Sequence, residues 1–198
     1  MRSTIRALWV AVRTLALATA ALGVGYTLLV TGLGQLLLPA QANGSLVADA
    51  DGDVVGSALI GQSFTDADGE PLAEYFQPRP SASGYDPAAS GGSNLGPENP
   101  DLVAAIAERR AEVAAFEGVA ASAVPADAVT ASASGLDPHI SPAYAAIQVD
   151  RVAAARGLSP EVIADLVAAH TSGRVLGYLG EPTVDVLALN LALDEQEG

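Results

Sequence analysis

Ser134, Asp137 and His139 lie within six consecutive positions, and they are the residue types of a hydrolytic triad: nucleophile, orienting carboxylate and base. Triads are assembled in space, however, and no Gly-x-Ser-x-Gly elbow is present to expose a nucleophile. The Asp137-Pro138-His139 run reads better as local hydrogen bonding that fixes an irregular loop, so no catalytic residue is assigned. Asp49-Ala50-Asp51-Gly52-Asp53 and Asp66-Ala67-Asp68-Gly69-Glu70 each have the alternating acids of a calcium loop. An EF-hand also needs Gly at its sixth position and Glu at its twelfth. The first run has Val54 and Ile60 there and the second has Pro71 and Gln77, so both are expected to be solvated turns. Ser90-Gly91-Gly92-Ser93 offers backbone amides to an anion. It is a weak candidate nucleotide contact, because Gly-Gly-Ser is also an ordinary flexible turn.

Composition removes other chemistries. All nine basic residues are arginine and there is no cysteine. Without lysine there is no Walker-type phosphate loop and no Schiff base. The Asp-Lys-Thr-Gly phosphorylation motif of P-type pumps is excluded for the same reason. Thiolate metal sites are absent, and two histidines are too few for a convincing zinc site, so no metal is assigned. A net charge of −14 argues against nucleic acid, whose phosphates are held by clustered Lys and Arg.

The charge is divided along the chain. Residues 1–48 carry Arg2, Arg6 and Arg13 without an acid, whereas residues 49–198 carry six arginines against 23 acids, a net −17. Between these regimes, residues 14–38 are uncharged. As a helix they reach about 37 Å, enough to cross a hydrocarbon core of about 30 Å. A cleaved signal peptide would end near Ala40-Gln41-Ala42, but its apolar core is usually much shorter. The expectation is an uncleaved, single-pass anchor. The three arginines precede it, which keeps the N-terminus cytoplasmic. The organisation expected is a cytoplasmic N-terminus over 1–13, a transmembrane helix over 14–38 and an extracytoplasmic domain over 39–198.

Within the anchor, Ala18, Ala21, Gly25, Leu28, Gly32 and Gln35 repeat at spacings of three and four. Small residues let membrane helices approach closely, and Gln35 is placed to hydrogen-bond across such a contact. This stripe is the expected partner face. Val24-Gly25-Tyr26 matches the core of a potassium-channel filter, but a filter needs irregular backbone sheltered inside protein. Tyr26 is expected to be a helix residue.

In the outer region, Ser45–Ala48 and Val54–Ile60 read as a hairpin around Asp51-Gly52. Phe64–Pro100 is too rich in Gly, Pro, Ser and Asn for regular structure, yet Tyr75, Phe76 and Tyr85 favour an ordered loop. Caps at Asn99, Ser141 and Ser159, each followed by proline, start helices that run to about Phe116, Arg156 and Thr171. Val175–Leu179 and Val184–Asn190 read as closing strands. The fold class expected is α+β.

Several runs carry a family pattern, in order: LIGQSF (59–64), YFQPRPSA (75–82), SGGSNLGP (90–97), VTASASGLDPHISP (129–142), RVAAARGL (151–158) and GRVLGYLGEP continuing to LNLAL (173–193). They resemble the KdpC family, small subunits of the Kdp-type potassium-transporting ATPase. The resemblance implies a non-catalytic accessory subunit of a bacterial potassium-uptake complex in the cell membrane, with the Kdp subunits KdpA, KdpB and KdpF as partners. It also implies a role in assembly and as a catalytic chaperone that raises the ATP affinity of the P-type subunit, with ATP reached through the complex and no cofactor assigned to this chain. The Ser90–Ser93 loop belongs to that idea, and Asn94, Ser134, Asp137 and His139 become expected partner contacts. The chain departs from the family pattern at Thr183, at Asp185 where Asn is common, and in the tail from Glu195 to Gly198. A membrane-anchored extracytoplasmic hydrolase using Ser134 and His139 is the competing reading.

Overall fold

The computed structural model describes residues 2–196, so the last two tail positions lie outside the described residues. Helical backbone runs without a break from Arg2 to Leu37, as α1 (Arg2–Ala18), a π-helical stretch (Thr19–Tyr26) and α2 (Thr27–Leu37). The 34 residues Thr4–Leu37 are apolar and long enough to cross a membrane. The helix therefore starts well ahead of the uncharged run, inside the residues expected to form the cytoplasmic end. Tyr26 is helical, in a π turn rather than an α turn. At Leu38 the backbone leaves helical values and Pro39 opens a single turn, α3 (Pro39–Ala42).

The chain divides into two compact units, Met1–Leu46 and Val47–Gly198. The second mixes helix and sheet. It begins with the paired strands β1 (Leu46–Ala48) and β2 (Val54–Ser57), a hairpin shorter than the sequence suggests. Asp49 closes it: Oδ1 accepts the N–H groups of Asp51 and Asp53 at 3.0 and 2.9 Å. Asp66 repeats the device with Asp68 and Glu70, both at 2.9 Å. These aspartates face inward onto their own turns, so the calcium-like spacing reflects turn chemistry.

Three long helices follow the expected starts: α4 (Pro100–Glu117), α5 (Pro142–Arg156) and α6 (Pro160–Ala169). Asn99 Oδ1 accepts from Asp101 N at 2.8 Å and Ser141 Oγ from Tyr144 N at 3.0 Å. Gly118 and Gly157 end the first two helices at φ 67° and 66°, a left-handed value that glycine adopts freely. A second sheet has the order β3-β5-β4, all antiparallel, from β3 (His139–Ile140), β4 (Thr171–Ser172) and β5 (Thr183–Asp185). Its centre is Val184, opposite Ile140 on one side and Thr171 on the other.

The C-terminal expectation needs correction. Strand β5 stops at Asp185, and Val186–Asp194 forms helix α7 instead of continuing as a strand. Asp185 Oδ1 accepts the Ala188 N–H at 2.9 Å, an N-cap followed by Ala and Leu, which favour helix. Asn at this position would cap equally well. Val175–Leu179 is a tight turn with one bridge rather than a strand. The core gathers Phe76, Ile140, Tyr144, Val152, Ile163, Val184, Leu189 and Leu193 from α5, α6, α7, the second sheet and the long loop.

Candidate functional site

The 64–100 segment has almost no regular structure but is pinned to the helices at consecutive residues. Asn190 on α7 bonds both backbone groups of Phe76, with N–H to Oδ1 at 2.8 Å and Nδ2 to the carbonyl at 3.0 Å. Gln148 on α5 does the same for Gln77, at 2.6 and 3.1 Å. Both carboxamides are fully buried. They supply the pairing that a neighbouring strand would otherwise provide, which a buried backbone requires.

Two arginines reinforce this pinning. Arg151 bonds the Ala73 and Tyr75 carbonyls at 2.6 and 3.0 Å, grips Glu117 through Nε at 2.8 Å and Nη2 at 3.2 Å, and lies over the Phe116 ring. Burial raises the Glu117 pKa, and the Arg151 hydrogen bonds and charge only partly offset it. Arg156 bonds the Glu74 carbonyl and Asp194, both at 2.7 Å.

On this support sits a polar platform around Asp137. Arg79 Nη1 donates to Asp137 Oδ2 at 3.0 Å, and the His139 N–H donates to Oδ1 at 3.0 Å. The His139 Nδ1 lies 3.5 Å from the same Oδ1. Tyr85 donates its hydroxyl to the Arg79 carbonyl at 2.7 Å. Burial pushes that hydroxyl well above the usual tyrosine range, with the Asp137 charge adding to the effect. Ser134 Oγ pairs with Ser132 Oγ at 3.0 Å and accepts the Leu136 N–H at 3.1 Å. The Ser134 carbonyl accepts from the Gly91 N–H at 2.8 Å and the Ser90 hydroxyl at 3.0 Å.

The serine-glycine loop is thus sewn to the 132–137 loop. The Gly91 amide, a donor the sequence offers to an anion, already has a partner. Glycines allow the closeness: a Cβ at Gly92 would stand 2.9 Å from the Ala133 carbonyl, and one at Gly135, where φ is 70°, would strike Ser83 Oγ and the Gly91 carbonyl. Asn94 bonds the Gly92 carbonyl at 3.1 Å with its own φ at 55°, while Ser93 is exposed. An open recess of about 630 Å3 is lined by Leu59, Ile60, Arg79, Ser134 and Asp137 among others.

The structure therefore brings Ser90, Gly91, Gly92, Ser134, Asp137 and His139 into one neighbourhood, but not in triad geometry. Among the described residues no hydrogen bond joins Ser134 to His139, and Ser134 Oγ is committed to Ser132 and Leu136. Sequence reasoning misses Gln148, Asn190, Arg151 and Arg79. For Gln148, Asn190 and Arg151 the available signal is a polar side chain inside an apolar-patterned helix, since buried polar groups must find partners, whereas Arg79 lies in the irregular segment.

The anchor stripe crosses α1, the π stretch and α2. Ala21 and Gly25 lie in the π stretch, where i→i+5 bonding puts about one more residue into each turn than in an α-helix. Gly32 faces open space. Gln35 pairs its carboxamide with Asn43, at 3.1 Å from Asn43 Nδ2, so its polar head is held within the chain.

The chain matches the family model described as K+-transporting ATPase, c chain, over residues 8–195. It is 60% identical over 181 residues to a Potassium-transporting ATPase KdpC subunit of Kineococcus radiotolerans, covering 90% of this chain and 88% of that one. A protein of the same name from Gemmatimonas aurantiaca is 58% identical over 175 residues, 87% of this chain and 84% of its own. Another from Geobacter sulfurreducens is 54% identical over 172 residues, covering 85% and 87%.

Proposed function

The chain belongs to the KdpC family of potassium-transporting ATPase subunits, and from that premise we propose that it is a non-catalytic accessory subunit that holds the complex together and raises the ATP affinity of its P-type partner. One observation carries the non-catalytic part: the polar groups around Asp137 are bonded to one another rather than poised for reaction. The absence of lysine supports it, because the phosphorylated motif must then lie on another subunit. The hydrolase alternative has no support in the Ser134 geometry.

The partners proposed are KdpA, KdpB, KdpF and the bilayer, with Arg2, Arg6 and Arg13 on the cytoplasmic side and the acidic domain outside. With that topology the domain does not touch cytoplasmic ATP. It acts by linkage: a preference for one pump conformation changes nucleotide affinity without a nucleotide contact. The partner contacts proposed are Ala18, Ala21, Gly25, Gly32 and Gln35 on the anchor, and the surface of the platform that holds Asn94, Ser134, Asp137 and His139.

The test is potassium-stimulated ATPase activity of the purified complex with and without this chain. The expected result is a higher ATP concentration for half-maximal rate when the chain is missing. An unchanged ATP dependence in an intact complex overturns the chaperone reading.

A further inference from the structure

The connection between β4 and β5, residues 173–182, carries an apolar tip that contributes nothing to the core. Val175, Leu176, Tyr178 and Leu179 are 66%, 77%, 69% and 48% exposed. The tip is nevertheless built. Val175 and Leu179 exchange two backbone hydrogen bonds, at 2.9 and 3.0 Å, and Arg174 and Glu181 form an ion pair across its base. Leu176 at its apex has φ 54°, a left-handed value that strains the backbone of a bulky residue. Folding gains nothing from that leucine, because its side chain is in solvent. A strained backbone that holds an exposed leucine beside a tyrosine is the arrangement a binding surface keeps, since the ordering cost is met before the partner arrives.

Charge selects the partner. Within residues 173–182 the two charges, Arg174 and Glu181, neutralise one another, while residues 49–198 as a whole carry −17. An anionic lipid surface is repelled by that domain, and so is a second copy of it. We propose that the 175–179 tip is a docking knob that seats in an apolar recess with a neutral or basic rim on another protein subunit of the ATPase. This rests on the subunit reading above.

The experiment places a photo-reactive amino acid at position 176, in place of Leu176, in the assembled complex in native membranes, with Asp68 in an exposed turn as the control position. The expected product is a cross-link to another ATPase subunit from position 176 and none from position 68. Cross-links to lipid or to a second copy overturn the knob, as does no cross-link in a chain that co-purifies normally. Failure of the unaltered chain to co-purify with any ATPase subunit overturns the subunit reading instead. In parallel, Leu176→Gly relieves the backbone while removing the side chain. It should leave the isolated full chain at least as stable and lower its retention in the complex at least tenfold. Retention within twofold of the unaltered chain overturns the proposal.

Discussion

The Asn190 carboxamide replaces a missing β-strand for Phe76: it accepts that residue's N–H at 2.8 Å and donates to its carbonyl at 3.0 Å. Gln148 repeats the pattern one residue later. The long irregular segment is ordered because two helices lend it side-chain amides.

Asn190→Leu keeps the branched outline of the side chain and removes both bonds, leaving two buried backbone groups unpaired. The expected loss of stability is about 3 kcal/mol, read from denaturant unfolding of the full chain in detergent. A loss under about 0.5 kcal/mol would mean that Phe76 finds other partners.

Gly84 and Gly135 separate backbone strain from crowding. Both have positive φ, 61° and 70°, but only Gly135 has neighbours where a Cβ would go. Gly84→Ala should cost about 1 kcal/mol, whereas Gly135→Ala adds overpacking and should cost about 3 kcal/mol. Equal effects would show that the junction between the 83–91 and 132–135 loops yields easily.

Glu117 binds its proton more tightly in the folded chain because burial disfavours the carboxylate. Its contribution is therefore complete below the ordinary value of 4.5 and is lost as pH rises through the higher folded value. Set against Glu117→Gln, which does not titrate at this position, the stability advantage of the unaltered chain should shrink as pH climbs from below 4.5 toward neutrality. A growing advantage would show that Arg151 outweighs burial.

Gly32 has open space where a side chain would go, so Gly32→Leu should leave the isolated helix intact, judged by circular dichroism in detergent. Co-purification of the complex should fall if this face packs against another membrane helix. An intact complex removes Gly32 from the docking surface.

Helix starts are legible because Asn99, Ser141 and Ser159 announce themselves locally, each before a proline. The anchor is legible from its lack of charge. Helix α7 is not: LALNLAL alternates like a buried strand and spaces like a helix, and only the cap at Asp185 decides. The two-residue strands β3 and β4 carry no periodicity at all. At the platform, Ser134, Asp137 and His139 are visible as residue types, but their partners come from far along the chain. Arg79 lies 58 residues before Asp137, a pairing set by the folded core rather than by spacing.

The separation between Phe76 and Asn190 is 114 residues, and this sets an order of events during synthesis. Phe76 leaves the ribosome while α7 does not yet exist, and until that helix arrives its N–H and carbonyl have only water. Closure over so long an intervening stretch is entropically slow. The nascent domain must therefore travel with this segment unfastened and lock only when α7 has been delivered.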